Sequence, residues 1–161
     1  MKKESINKIF KYLFIIYLIG LIFILFLYGG RTGNQFHLKV FSREHLNMIN
    51  IIPFKTIEGF LDRIANSTIN TNIVVTNLFA NLLMFIPMGM ALSVLFKKYF
   101  DKLWKLTVFS IILVLFIEII QFLTFTGSAD IDDLILNVIG TIIGYGIIKI
   151  RFLRNFLKLD D

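Results

Sequence analysis

Long apolar runs separated by short polar stretches make up most of the chain. Four runs are long enough to cross a bilayer as helices, which takes about 20 residues each. They cover about residues 12–28, 73–96, 103–124 and 131–148. The fourth is short and opens with acidic residues, so we expect its first turn to lie at the membrane interface. The pattern predicts an all-α integral membrane protein with four transmembrane helices and a long outer loop between the first and the second.

The long loop contains a shorter amphipathic pattern. Ile57, Phe60, Leu61 and Ile64 recur at helical spacing, and charged residues occupy the opposite face. The spacing predicts a short helix. Two placements are open for it: on the outer membrane surface, or as a half-buried cap over the transmembrane helices.

The composition excludes several classes of protein. Hydrophobic residues make up 57% of the 161 residues and charged residues 17%, which leaves too little polar material to cover a soluble domain and too much apolar material for disorder. The chain has no cysteine, so disulfides and thiolate metal sites are excluded. The net charge of +6 comes from basic residues that border the apolar runs, so the expected partner is a membrane surface and not nucleic acid.

Most basic residues fall in three of the polar segments. Four precede the first run, four lie between the second and third, and four follow the last: Lys2, Lys3, Lys8 and Lys11; Lys97, Lys98, Lys102 and Lys105; Lys149, Arg151, Arg154 and Lys158. The turn at residues 124–129 has none. Because cytoplasmic loops carry an excess of Lys and Arg, we predict a multi-pass plasma-membrane protein with both termini in the cytoplasm and the 124–129 turn outside.

Polar side chains inside the spans are candidates for function, because they are costly in lipid. They are Asn77 and Asn81 on the second run, Glu118 and Gln121 on the third, and Asp130, Asp133 and Asn137 at the start of the fourth. Helical spacing places the residues of each set on one face. All three sets fall in the outer half of the membrane, so we expect them to converge. Gly140 and Gly144 continue the stripe of the fourth run and predict a close helix contact.

Two interpretations of these polar residues are open. The amides alone are explained by hydrogen bonds between helices, whereas the carboxylates of Glu118, Asp130 and Asp133 are not, because packing does not need charge. Their charge is suppressed by protonation or balanced by a cation. The candidates for that cation are a bound metal ion, a cationic group on a ligand, or a basic residue of the outer loop: Arg31, Arg43, Lys55 or Arg63.

Four blocks of sequence together resemble the VanZ-like membrane protein family. They are NIIPF at 50–54, NLLMFIPMG at 81–89, EIIQF at 118–122 and DIDDLILNVIGTIIG at 130–144. The blocks occur in the order and at about the spacing of that family, cover about residues 47–146, and identify residues 1–161 as a single VanZ-like transmembrane domain. One departure is Ser128, which follows Gly127 where many family members carry an arginine.

The resemblance implies a bacterial cell-envelope protein that lowers susceptibility to glycopeptides such as teicoplanin, the phenotype for which the family is named. It also implies an outward-facing intramembrane site. The residues that match the family pattern are Asn50, Asn81, Glu118, Gln121, Asp130, Asp133 and Asn137. Asp132 falls at a position where that pattern is looser.

One hypothesis for this site is an enzyme that acts on a lipid-linked phosphate or head group, such as a polyprenyl-linked cell-wall precursor or a phospholipid. Glu118, Asp133 and Asp130 are then the catalytic candidates, and together they offer the oxygen ligands that Mg²⁺ or Ca²⁺ prefers. Such a cation would offset the repulsion between carboxylates and phosphate. The predicted substrate-binding residues are Asn81, Gln121, Asn137 and Asn50.

The alternative hypothesis is a binding protein without chemistry, which holds a lipid head group, a cell-wall precursor or the antibiotic itself. Either way the expected partners are membrane lipids. A transporter is less favoured, because the inner halves of the four runs carry no polar stripe that would complete a path. Between Leu106 and Phe116, for instance, only Thr107 and Ser110 are polar.

The predicted orientation is testable with single cysteines. A reporter fused after Asp161 should be active only in the cytoplasm, and the cysteine of a Ser128→Cys variant should react from outside with a membrane-impermeant reagent. The chain has no native cysteine, so all labelling reports that one position. Labelling of residue 128 only after lysis would contradict both the orientation and the outer placement of the site.

Overall fold

Four long helices account for most of the computed structural model, which describes residues 3–28, 46, 49–68 and 70–150. They are α1 (Lys3–Ile22, continued by a π-helical turn at Phe23–Tyr28), α3 (Thr71–Leu95), α4 (Leu103–Leu123) and α5 (Ile131–Lys149). A shorter helix, α2 (Lys55–Ala65), precedes α3. Two short strands, β1 (Ile49–Asn50) and β2 (Ala129–Asp130), pair in parallel, with Ile49 opposite Ala129 and Asn50 opposite Asp130.

The prediction of four membrane-spanning helices is confirmed. The stretches long and apolar enough to cross a membrane are Lys8–Leu27, Leu78–Leu95, Leu103–Leu123 and Ile131–Lys149. The orientation of the termini stays a prediction. Residues 29–45 of the predicted outer loop lie outside the described residues, with the candidate bases Arg31 and Arg43, and so does the basic tail after residue 150.

The distribution of side chains suits lipid as the surrounding solvent. Large apolar side chains such as Ile112 and Phe116 point outward and are exposed, while Ser110 and Thr141 are fully buried between helices. Each buried hydroxyl donates to the carbonyl four residues earlier on its own helix, Ser110 at 2.8 Å and Thr141 at 3.1 Å. This bonding satisfies the hydroxyl groups where no water is available.

The contact between α3 and α5 is the most extensive among the described helices. Three glycines make it a backbone-to-backbone contact. A Cβ atom on Gly140 would overlap the carbonyl oxygen of Leu82, and one on Gly144 would overlap that of Ile86. Gly89 on α3 approaches the carbonyl group of Thr141 in the same way. Lipid tails provide no hydrophobic driving force between helices, so such close packing is what holds them together.

Helix α1 packs against α3 around a proline. Pro87 lies inside α3 and cannot donate a backbone hydrogen bond to the carbonyl of Leu83, which disturbs the helix at that turn. The hydroxyl of Tyr17 donates to the neighbouring carbonyl of Met84 at 2.8 Å. A neighbouring helix thus supplies a donor where the proline weakens the internal bonding, as is usual for proline in membrane helices.

The glycine contact predicts opposite effects for two alanine substitutions on α5. Gly140→Ala forces α5 away from α3 and should lower the free energy of unfolding by about 1–3 kcal/mol. Gly146→Ala is the matched control, since a Cβ there meets nothing within 4 Å, and it should leave stability unchanged or raise it by up to about 1 kcal/mol. Thermal denaturation in detergent micelles measures both. Equal melting temperatures for the two variants would contradict the close contact.

Candidate functional site

The end of α4 meets the start of α5 through a buried carboxylate. Glu118 lies in the membrane-spanning part of α4 and is only 6% exposed. Its Oε2 accepts the backbone N–H of Asp130 at 3.3 Å. A charged group in this position is costly unless it is paired, and the N-terminus of α5 provides a partial positive charge close by.

Asp130 joins the loop that precedes α2 to the start of α5 through several hydrogen bonds. Its carboxylate accepts the Thr56 hydroxyl at 2.6 Å, the Asn50 amide at 3.0 Å and the backbone N–H of Asp132 at 3.0 Å. The last bond caps the N-terminus of α5. The structure therefore places Asp130 in an anchoring position. Its predicted catalytic role stays a prediction.

Asn50 is placed in the same anchor. Its amide donates to the Thr56 hydroxyl at 3.1 Å as well as to Asp130, and its own Oδ1 accepts the backbone N–H of Ile52 at 3.2 Å. These bonds fix the chain between β1 and α2. The predicted contact of Asn50 with substrate stays untested.

Asp132 caps a helix to which it is not adjacent in sequence. Its carboxylate accepts the backbone N–H groups of Phe54, Thr56 and Ile57 at 2.5, 2.9 and 3.2 Å. These donors lie at the start of α2, whose own N-cap residue, Phe54, makes no side-chain cap bond and has a left-handed backbone with φ of 67°. A carboxylate at a helix N-terminus satisfies unpaired donors and complements the helix dipole. At 1% exposed, Asp132 is a tightly held structural residue.

Asn81 and Asp133 bridge α3 and α5. The side-chain amide of Asn81 donates to Oδ1 of Asp133, so two of the predicted site residues are in direct contact. Asn77 lies on α3 one turn before Asn81. The glycine contact described above sets this distance, because it brings the backbones of the two helices together two turns further along α5.

Asn137 lies one turn below Asp133 on the same face of α5 and is only 4% exposed. Its side-chain Oδ1 is buried and has no hydrogen-bond partner within the described part of the chain. A buried acceptor left without a donor costs about 1–3 kcal/mol. It marks a place where a water molecule or a polar group of a ligand would be stabilised.

Gln121 connects α4 to α1. Its Nε2 donates to the carbonyl of Leu25 at 3.1 Å, in the π-helical turn, and its backbone carbonyl accepts the N–H groups of Thr126 and Gly127 at 2.9 and 3.2 Å. The structure thus places Gln121 in a helix contact. Its predicted role in binding substrate stays a prediction.

The predicted metal site calls for three oxygen ligands around one point. Within the residues that the structure describes, no three His, Cys, Asp or Glu side chains are placed so that they share a metal ion. Two of the proposed ligands have other partners, since Asp130 accepts three hydrogen bonds and Glu118 accepts the Asp130 N–H. The Mg²⁺ or Ca²⁺ site stays a prediction.

Sequence reasoning missed two residues of this region. Thr56, between Asn50 and Asp130, lies just after the NIIPF block, but no pattern singles out its hydroxyl. Asp132 falls where the family pattern is looser, and its capping role depends on donors 75 to 78 residues away. A hint was available for Asp132, since α2 begins without Ser, Thr, Asp or Asn at the preceding position.

Comparison with known proteins gives a family and one relative. The VanZ/LLP1 family model matches residues 14–153, a range that includes every site residue named above. Protein VanZ of Enterococcus faecium is 30% identical over 112 residues, which cover 68% of this chain and 58% of that protein. The matched stretch thus spans little more than half of the relative's length. No solved structure matches the chain.

The cap on α2 predicts a local loss of protection when its charge is removed. Asp132→Asn keeps the shape but presents an NH₂ group to backbone donors, so amide exchange at Phe54, Thr56 and Ile57 should accelerate by about tenfold or more. Asp62→Asn, on the exposed face of α2, is the matched control and should leave these rates unchanged. Hydrogen–deuterium exchange with mass spectrometry measures both. Unchanged exchange in Asp132→Asn would contradict the capping role.

Proposed function

Because this chain belongs to the VanZ/LLP1 family, we propose that it is a cell-envelope membrane protein that lowers susceptibility to glycopeptides such as teicoplanin. Its likeness to Protein VanZ supports this general role. We propose further that it acts by binding the polar head of a membrane lipid or of a polyprenyl-linked cell-wall precursor. The binding site is the outer end of the helices, around Asp133, Asn137 and Glu118.

The observation that carries the proposal is the unpartnered acceptor on Asn137. This oxygen is buried one turn beneath the Asn81–Asp133 bond. A position that served packing alone would be more stable with an apolar side chain of similar size, because no acceptor would be left without a donor. A ligand that reaches this depth and donates a hydrogen bond to Oδ1 explains why an asparagine occupies this position.

The chemistry of the site favours a ligand rich in hydrogen-bond donors. Glu118 and Asp133 contribute carboxylates, and Asn137 contributes an acceptor. Hydroxyl groups of a sugar and the ammonium or amide N–H groups of a head group match such oxygens. A phosphate on the same ligand would be repelled by the carboxylates and needs a separate cation. Lys55 and Arg63 of α2 are the described candidates.

A second candidate function is chemistry on the bound head group. The observation that favours it is the burial of Glu118 within a membrane-spanning helix, in the same region as Asp133. In hydrolysis of a phosphate ester, Glu118 would take a proton from the attacking water as the phosphorus–oxygen bond to water forms. It would return that proton to the leaving oxygen as the ester bond breaks.

Removal of single charges tests the site. Glu118→Gln and Asp133→Asn keep shape and most hydrogen bonding, so both proteins should still accumulate in the membrane. Both should lose the protection against teicoplanin, measured as the minimal inhibitory concentration in a strain that depends on this chain. Asp62→Asn, on the exposed face of α2, is the matched control and should retain protection.

Two further results would separate binding, chemistry and simple helix packing. Release of a product from labelled polyprenyl-phosphate or phospholipid by purified wild-type protein, abolished in Glu118→Gln, would favour chemistry over binding. Full protection by both amide variants would contradict a charged site, and the polar residues would then serve only to join the helices.

A further inference from the structure

An apolar cleft of about 150 Å³ lies between α1 and α3, displaced from Asn81 toward the C-terminal end of α3. Its walls are hydrocarbon and aromatic surfaces of both helices: Phe10, Leu13, Phe14 and Tyr17 of α1, with Pro87 and Ala91 of α3. The hydroxyl of Tyr17 is bound to the Met84 carbonyl. The cleft is therefore distinct from the polar site in both place and chemistry.

The cleft faces the membrane interior. Its α1 residues recur at i, i+3, i+4 and i+7, so they form one face of the helix. All of its lining residues lie within the membrane-spanning stretches Lys8–Leu27 and Leu78–Leu95. No water is available at that depth to fill an open groove with apolar walls. A hydrocarbon chain is the occupant that this setting supplies.

Basic side chains stand at the end of the cleft nearest the membrane surface. Lys11 lies on α1 one turn before Phe14, and Lys97 and Lys98 follow Phe96 just after the end of α3. All three are exposed. The rings of Phe14 and Phe96 pack edge to face with centroids 6.5 Å apart. That contact brings the end of α3 beside this part of α1, so the three lysines border the same opening.

We propose that the cleft binds an acyl chain of an anionic phospholipid whose phosphate pairs with Lys11, Lys97 and Lys98. Basic pockets between membrane helices near the surface are typical sites for anionic head groups, and each lysine adds attraction. A second copy of the chain is a poorer occupant, because it would bring two sets of lysines together. This inference does not depend on the proposed function of the polar site.

The acyl-chain part of the proposal is tested with phosphatidylglycerol that carries a photoreactive diazirine in one acyl chain. Full-length protein in nanodiscs should be labelled on peptides containing residues 10–17 and 87–91. Leu13→Trp fills the cleft and should reduce that labelling by about tenfold. Tyr12→Trp is the matched control, since Tyr12 is 66% exposed against 58% for Leu13 but does not line the cleft. Labelling elsewhere, or equal labelling of both variants, would overturn the proposal.

The head-group part is tested by competition between phosphatidylglycerol and phosphatidylcholine. The triple variant Lys11→Gln, Lys97→Gln, Lys98→Gln should lose the preference for phosphatidylglycerol, because each lysine raises the relative affinity for this lipid by about fivefold. The control is the triple variant Lys102→Gln, Lys105→Gln, Lys149→Gln. It removes the same amount of charge elsewhere and should keep the preference for phosphatidylglycerol. The proposal of an anionic phospholipid would be overturned if both triple variants lost the preference equally, or if the wild type showed no preference. It would also be overturned if an equimolar polyprenyl phosphate displaced phosphatidylglycerol.

Discussion

Three glycines let α3 and α5 meet backbone to backbone, and this close approach determines where the other parts lie. At Gly140 and Gly144 on α5, and at Gly89 on α3, there is no room for even a Cβ atom between the two helices. At that separation, Asn81 reaches Asp133 across the helix pair. The start of α5 then lies beside the end of α4, where the Asp130 N–H meets Glu118. A wider separation of α3 and α5 would part Asn81 from Asp133.

The three aspartates at the start of α5 make contacts in two different directions. Asp130 and Asp132 accept hydrogen bonds from backbone and side-chain donors of the segment before α3, so they hold β1 and the start of α2 over the helix ends. Asp133 faces α3 through Asn81, above the unpartnered oxygen of Asn137. Asp130 and Asp132 thus anchor the segment with β1 and α2, whereas Asp133 contributes to the candidate ligand site. This division explains why three carboxylates lie so close together at the start of one helix.

The sequence was sufficient to predict the helices and their polar stripes. Apolar runs bounded by charge predicted all four spans, with the largest differences at two starts: the first begins at Lys8 where about residue 12 was predicted, and the second at Leu78 where about residue 73 was predicted. The spacing of Gly140 and Gly144 indicated a close contact. The partners of Asp132 and Thr56 were not predictable, because they are backbone and side-chain groups more than 70 residues away. The same holds for Gln121, which binds a carbonyl in a π-helical turn that has no signature within an apolar run.

The central claim is that the polar end of the helices holds the head of a lipid or lipid-linked precursor. The most direct measurement is mass spectrometry of the lipids that co-purify with the protein in native nanodiscs, for the wild type and for Asn137→Leu. One lipid species should be enriched with the wild type and lost from the variant, while the variant itself should melt at the same or a higher temperature. The same lipid profile for both proteins, or a variant that no longer folds, would contradict it.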